Sequence, residues 1–592
     1  MASPLPAPPP LSPNALRVLE RRYLLRDARG GLAEDPAGLF RRVARGVAAA
    51  EGRLGPLAGR ARREAEWAER FEVAMTSLEF LPNSPCLMNA GTPLGQMAAC
   101  FVLPVEDSLR GIFDAVRDMA LIHQSGGGVG FDFTPLRPRG DLVRSTHGVA
   151  SGPVSFMGVF DAATEAVKQG GRRRGANMGV LDARHPDILE FVAAKVDGTR
   201  LRNFNVSVGM TDAVMHAAAG GRPAPLRNPR TGRRAGSIDA GDLLDRIARA
   251  AWASGDPGLL FLDAIRRANP VPALGDITAT NPCGEQPLLP HETCTLGSIA
   301  VQRFVRGADI DWDRLGDAIR LGVRFLDDVV TATRHPLPEV ERATLRTRKI
   351  GLGVMGFADA LVAMGIAYDS PAALEVASGL ARFLAEEARR ASEELARERG
   401  PYPEFRRSRD AVRGRRALRN ATRTTVAPTG TVALVAGCSS GIEPIFALVH
   451  DRRAFAGEEV LEEIHPALAA ALEGAGLPPA EWIPRIARAG SLRALGRAVP
   501  EPLRRIFVTA LEIPPDHHVR IQAAFQASTD SAVSKTVNLP ADATPADVAR
   551  VYRLAFELRC KGITVYRYGS REGQVLCLPE DAEEGGAREC AG

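Results

Sequence analysis

The chain lacks any apolar run of about 18 residues or more, so nothing in it reads as a membrane-spanning helix. It has little net charge. Lys+Arg 75 against Asp+Glu 70 gives +5 over 592 residues, too balanced for a protein that coats nucleic acid. No Cys-x-x-Cys occurs, and no Cys/His spacing fits a zinc site. No glycine loop runs into Gly-Lys-Ser/Thr, which excludes a Walker A ATP site. There is no internal repeat of fixed short period. The segment Met1 to Pro13 is rich in Pro and Ala and lacks the basic start and apolar core of a signal peptide. It reads as a disordered arm, and the protein as cytoplasmic.

What is present describes a large globular protein: 45% hydrophobic and 24% charged residues, with arginine far outnumbering lysine. At about 150 residues per domain, the length predicts more than one structural unit. The eight cysteines are Cys86, Cys100, Cys283, Cys294, Cys438, Cys560, Cys577 and Cys590. Their scatter argues against a disulfide scaffold and for catalytic or redox use of a subset.

Residues 14–80 read as an N-terminal helical region, with apolar residues at helical spacing and a helix start at Pro36. From about Leu81 to 576, short apolar runs such as Cys100 to Val105 and Asn205 to Val208 alternate with helical stretches such as Asp107 to Gln124. This alternation predicts α/β architecture with a largely parallel sheet. Asp369 to Arg399 reads as a long helix, 451–510 as helical, and Gly562 to Val565 as a final strand. The tail, 577–592, is acidic and glycine-rich and reads as flexible.

The most informative stretch is Asn281-Pro-Cys283-Gly-Glu285, with Cys294 eleven residues beyond Cys283. The Pro-Cys-Gly core argues against a helix and for an extended or turn-like loop. If the stretch is extended, residues two apart point to one side, which predicts an amide, a thiol and a carboxylate in one pocket. That set suits chemistry on a hydroxylated substrate. A loop with an inert buried cysteine is the plainer alternative. A second feature, Ala427-Pro-Thr429-Gly430-Thr431-Val432, follows the apolar run Thr424 to Val426 and offers hydroxyls and backbone N–H groups at a helix start. Such a terminus suits phosphate, although a simple capped turn has the same sequence. Ser125 to Gly130 is a glycine loop whose backbone could approach a ligand closely. Ser84, in Pro-Asn-Ser-Pro, is a third anion contact to consider.

Taken together, these segments resemble the catalytic chain of ribonucleotide reductase, and more closely its class II, adenosylcobalamin-dependent form. The resemblance is carried, in order, by 81–91, 100–109, 125–130, Asn281 to Leu288, Pro428 to Thr431 with Gly441 to Pro444, and Gly562 to Ser570, and runs from about residue 14 to 576. It implies a ten-stranded α/β barrel with the Cys283 loop as a central finger. It implies reduction of ribonucleoside diphosphates at C2′, started when homolysis of adenosylcobalamin leaves a thiyl radical on Cys283. By the same resemblance Glu285 is the base on the 3′-OH, Asn281 holds the sugar hydroxyls, and Cys100 and Cys294 are the reducing pair that ends as a disulfide. Substrate contacts fall on Ser84, Ala99, Gly128, Thr429, Gly430, Thr431 and Val432.

The resemblance also implies a deoxynucleoside triphosphate effector bound within 107–210 at a homodimer interface. Asp107, Arg137, Lys168 and Arg174 are its expected contacts. Lys168 to Asn177 would be the first specificity loop, and Lys195 to Asn203 the second, which would relay effector identity to the base pocket. The chain shows no further N-terminal nucleotide-binding segment, so overall control by ATP or dATP is not expected. Cys86 stands where the family more often has threonine. Cys577 and Cys590 are far apart, unlike the close C-terminal pair that usually re-reduces the active-site disulfide; either they serve as a loose pair, or a separate chain or direct contact with a thioredoxin-like reductant does this work. Two alternatives remain: the large subunit of a di-iron-partnered reductase, and a catalytically inactive nucleotide sensor. Tyr566 and Tyr568 are separated by Arg567, where the di-iron class needs an adjacent pair. The intact cysteines, Asn281 and Glu285 argue against the sensor.

Overall fold

The computed structural model describes residues 11–54, 58–143, 147–167, 175–454, 459–571 and 576–577. Five parallel strands form the first half of the central wall: β1 (Cys100–Leu103), β2 (Gly128–Asp132), β3 (Asn177–Asp182), β4 (Phe204–Met210) and β5 (Gly258–Phe261). Parallel neighbours need crossovers, and helices supply them, as Leu109–Gln124 does between β1 and β2. The second half contains β6 (Thr293–Ala300) parallel to β7 (Ile350–Met355), and β8 (Thr536–Leu539) parallel to β9 (Gly562–Arg567). The halves meet antiparallel at two seams, β1 with β6 and β5 with β9.

The gap between β7 and β8 is filled by residues 424–426. Thr424 bridges Leu352, and Val426 bridges Val533. Thr425 N–H donates to Leu352 O at 3.0 Å, and Val426 N–H to Ala532 O at 3.2 Å. Nine strands and this segment thus close a ring of ten staves, five in each half. The strand Phe80–Pro82 pairs with β6 beyond the end of β1. β1, β3, β5, β6 and β7 are buried along their whole length, as in a parallel sheet covered by helices.

The helices Pro13–Arg22, Pro36–Ala48 and Arg60–Thr76 precede the barrel. Ser12 and Asp35 cap the first two, with proline at the first helical turn of each. Pro36–Ala48 buries Leu39, Phe40, Val43, Ala44 and Val47 on one face. The long helix predicted over 369–399 is Pro371–Arg399.

Two expectations fail. Residues 451–510 are not helical throughout: Val449–Ala454 and Glu459–Ile464 form an antiparallel hairpin before the helices Leu468–Gly474, Pro479–Ala489 and Glu501–Ile506. Leu461 is buried while its neighbours are not, and the hairpin gains a third strand in Leu576–Cys577. Tertiary pairing overrides a helix-rich composition here. For the same reason Gly562–Arg567 is not the final strand.

Candidate active site

The stretch 281–285 is a turn, one of the two forms open to it from the sequence. Gly284 N–H donates to Asn281 O at 3.0 Å. The turn caps a hairpin of Ala279–Thr280 with Pro287–Leu288 that enters the barrel. A Cβ on Gly130 would lie 1.7 Å from Thr280 O, and one on Gly128 would lie 2.9 Å from the Pro282 ring. The glycine loop therefore first admits the hairpin. Because the backbone reverses, Cys283 sits exposed at the tip, with Asn281 and Glu285 buried on either side. All three still face one cavity.

The finger is tied down on several sides. Asn281 Oδ1 accepts from Gln286 N–H at 2.9 Å. Glu285 O accepts from Ala532 N–H at 2.8 Å and from the Thr425 hydroxyl at 3.0 Å. Asn205 Nδ2 donates to Pro282 O at 2.8 Å. Asn205 was not singled out from the sequence. It begins 77 residues before its partner, and nothing local marks the contact.

Cys100 and Cys294 are direct partners across the antiparallel seam of the half-barrels. Asn281 Nδ2 donates to Cys100 Sγ at 3.1 Å, and Cys100 Sγ lies 3.7 Å from Glu285 Oε1. Amide, carboxylate and one thiol of the pair therefore form one contact chain. Burial pushes the Cys294 thiol well up, against a downward pull from Lys349. Lys349 is itself buried and paired with Glu292. Burial also raises the Cys86 thiol, and Cys86 lines no part of the cavity.

The cavity, of about 120 Å³, is lined by Ser84, Ala99, Cys100, Gly128, Asn281, Cys283, Glu285, Thr429 and Val432, among others. Two helix starts face its far end, Ser84–Asn89 and Gly430–Ala436. Thr429 is buried, its hydroxyl accepting from Gly441 N–H at 2.9 Å. Gly430 is exposed and Thr431 half-buried, outside the cavity lining, where this end opens to solvent.

A second cavity, of about 490 Å³, also reaches the finger tip. Pro282 and Cys283 belong to the walls of both. Its polar lining includes Asn205, Ser207, Thr536, Asn538 and Tyr566. Arg567 turns away from this cavity and stacks on Trp252, 4.2 Å from the ring centre.

Asp107 and Arg137 are brought together: the Arg137 backbone N–H and Nε donate to the Asp107 carboxylate at 3.1 and 2.9 Å. Lys168 and Arg174 lie outside the described residues, as does Cys590. In the second loop, Lys195 pairs with Asp256 at 2.7 Å, and Asn203 Nδ2 donates to Glu165 at 3.2 Å. Leu109 and Phe113, one helical turn apart, are 66% and 53% exposed.

A ten-stave barrel built of two antiparallel halves, with a thiol-tipped finger at its centre and a thiol pair on one seam, defines the catalytic chain of a ribonucleotide reductase. The chain belongs to that family. The family described as "Ribonucleotide reductase, barrel domain" matches residues 98–415 and 410–566, and "Ribonucleotide reductase, all-alpha domain" matches 10–95. The chain is 52% identical over 567 residues to the vitamin B12-dependent ribonucleoside-diphosphate reductase of Mycobacterium tuberculosis, covering 96% of this chain and 80% of that one. It is 46% identical over 618 residues to the enzyme of the same name from Thermoplasma acidophilum, with the same shares covered. Among solved structures, the Actinobacillus ureae class Id ribonucleotide reductase alpha subunit superposes with a TM-score of 0.76 at 24% identity, covering 94% of this chain and 97% of that chain. That likeness concerns the fold.

Proposed function

We propose that this chain is an adenosylcobalamin-dependent ribonucleoside-diphosphate reductase that makes 2′-deoxyribonucleoside diphosphates for DNA synthesis. One observation carries the reading: the Cys283 tip is a wall common to two cavities, and only the smaller one holds Asn281, Glu285 and Cys100. A thiol so placed can exchange a hydrogen atom with a cofactor in one cavity and with a sugar in the other. The names of the relatives support the same class over a di-iron-partnered chain.

The larger cavity fits the nucleoside end of the cofactor in size and in its polar lining of Asn205, Ser207, Thr536, Asn538 and Tyr566. When bound, adenosylcobalamin supplies the one-electron chemistry that removes the hydrogen atom from the Cys283 thiol, which no side chain could do alone. Cys283 then takes the 3′-hydrogen of the ribose. Glu285 accepts the 3′-OH proton, which eases departure of the 2′-OH. That oxygen leaves as water, protonated by the thiol pair. Cys100 and Cys294 give two electrons and become a disulfide, Glu285 returns its proton to the 3′-oxygen, and Cys283 returns the hydrogen to C3′. Asn281 orients the sugar hydroxyls. Ser84, Ala99, Gly128 and the Thr429–Val432 turn receive the phosphates, where backbone N–H groups and two helix starts favour negative charge.

The proposal extends to control and partners. A deoxynucleoside triphosphate would bind near Asp107 and Arg137, together with Lys168 and Arg174. The exposed Leu109 and Phe113 would be covered in a homodimer. A thioredoxin-like protein would reduce the disulfide. No helix among the described residues is long and apolar enough to cross a membrane.

The test is reduction of a ribonucleoside diphosphate by the purified chain with dithiothreitol and an effector, with and without adenosylcobalamin. Product only with the cofactor is expected. No product, followed by rescue with a di-iron subunit, would overturn the cobalamin assignment.

A further inference from the structure

The N-terminal helix Pro13–Arg22 packs against Gly430–Ala436, one of the two helices that face the far end of the substrate cavity. Two consecutive residues at its C-terminal end reach the two anion loops. The Tyr23 hydroxyl is 2.8 Å from the Ser84 hydroxyl, and Tyr23 is 1% exposed. Arg22 Nη1 donates to the Thr431 hydroxyl at 3.1 Å. The contacts span 61 and 409 residues of chain, so only the tertiary fold brings them together. The neighbouring basic residues serve another purpose: Arg17 and Arg21 pair with Glu459 on the hairpin.

From this geometry we infer that Arg22 is a specificity residue for the terminal phosphate of the substrate, with Tyr23 positioning Ser84 beside it. The inference rests on the proposed phosphate role of the 429–432 turn. The cavity lining ends at Thr429 and Val432, while Gly430 is exposed and Thr431 half-buried. A nucleotide with its sugar at Asn281 and Glu285 directs its phosphates to that open end. The inner phosphate meets backbone N–H groups and neutral hydroxyls. The outer one reaches the rim, where Arg22 stands. A guanidinium stays charged at any working pH, and its planar fork matches two phosphate oxygens. The N-terminal helical region is thereby part of the substrate site and selects for the number of phosphates.

The experiment uses the full chain with Arg22→Gln, Arg22→Lys and Tyr23→Phe. Steady-state reduction is followed with cytidine mono-, di- and triphosphate, adenosylcobalamin, dithiothreitol and an effector. Calorimetric binding of cytidine diphosphate and of cytidine is measured without cofactor. For Arg22→Gln we expect the diphosphate KM and Kd to rise about tenfold, the size of one lost charge-assisted contact. kcat should fall far less, cytidine binding should be unchanged, and Arg22→Lys should recover part of the loss. Tyr23→Phe should weaken the diphosphate without altering the preference among phosphate lengths. Unchanged diphosphate KM and Kd in Arg22→Gln would overturn the inference. So would equal losses for cytidine and its diphosphate with a lowered Tm, which would mark a structural role. A wild-type chain that reduces ribonucleotides while Arg22→Gln matches it would sink this inference alone. A wild-type chain that neither reduces nor binds them would sink the proposed function first, and this inference with it.

Discussion

Cys100 and Cys294 face each other across the seam where the two half-barrels run antiparallel. Direct partners in such a pair have Cα atoms about 4.5–5.5 Å apart, inside the range a disulfide can span without backbone movement. The proposed reducing pair is therefore a product of strand register. A one-residue slip would turn one sulfur to the other face. Reaction of the reduced chain with substrate, cofactor and effector but no external reductant should consume two thiols per chain. Peptide mapping should recover a Cys100–Cys294 disulfide. In Cys294→Ser sustained turnover should stop, and normal multiple turnover in that variant would exclude the pair as reductant.

The tip thiol should be separable from folding. Cys283 is exposed, so Cys283→Ala should change stability by less than about 0.5 kcal/mol. Turnover should vanish while nucleotide binding, followed by calorimetry, is kept. Residual activity near that of the unmodified chain would remove the radical role.

Glu285→Gln keeps the shape of a buried side chain and removes its basicity. kcat should fall by about 10²–10⁴-fold, the usual contribution of a positioned acid–base group. Substrate Kd should change little. If KM rises with kcat preserved, Glu285 binds the sugar without acting as a base.

Stability should depend on acid at one buried cluster. Asp327 is 0% exposed and contacts Arg348 at 2.7 Å, Arg399 at 2.9 Å and Arg419 at 3.3 Å. Burial alone would raise its carboxyl, but the three guanidiniums hold it down at about 2. A carboxyl whose folded pKa is depressed adds stability above its unfolded value, near 3.9, and loses it as pH falls toward the folded value. Asp327→Asn should therefore cost about 3 kcal/mol at pH 7 by leaving buried arginines uncompensated. In denaturant titrations the gap between the two chains should narrow between about pH 4 and pH 2. A pH-independent gap would mean that packing, not charge, is lost.

Different deoxynucleoside triphosphates should change which base is reduced. The Asp107–Arg137 pair organises the proposed effector site, so Asp107→Ala should flatten that selectivity while leaving the basal rate with a favoured base. Unflattened selectivity would place the effector elsewhere.

Much of the fold was legible along the chain. The alternation of apolar runs with helical stretches reflects strands buried on both faces, and β1, β3 and β5 are buried throughout. The helix starts at Pro36 and near Asp369 were readable because capping and proline placement are local. The hairpin at 449–464 was not readable. Its residues favour helix, and the strand that extends it lies beyond residue 570. Nor was the turn at Asn281–Gly284, since Pro-Cys-Gly suits either an extended loop or a tight reversal.

The sequence by itself determined the chemical inventory: a thiol, an amide and a carboxylate within five residues, two further cysteines, and a hydroxyl-rich turn at a helix start. Only the tertiary structure decided which of them meet. Asn281 touches Cys100 across 181 residues, and Glu285 shares its thiol contact across 185. Barrel closure through residues 424–426, the passage of the finger past Gly128 and Gly130, and the reach of Arg22 to Thr431 are equally non-local. Local propensity acts over a few residues, whereas strand register and side-chain packing couple positions hundreds of residues apart. A functional site assembled on a barrel is made by that second kind of interaction.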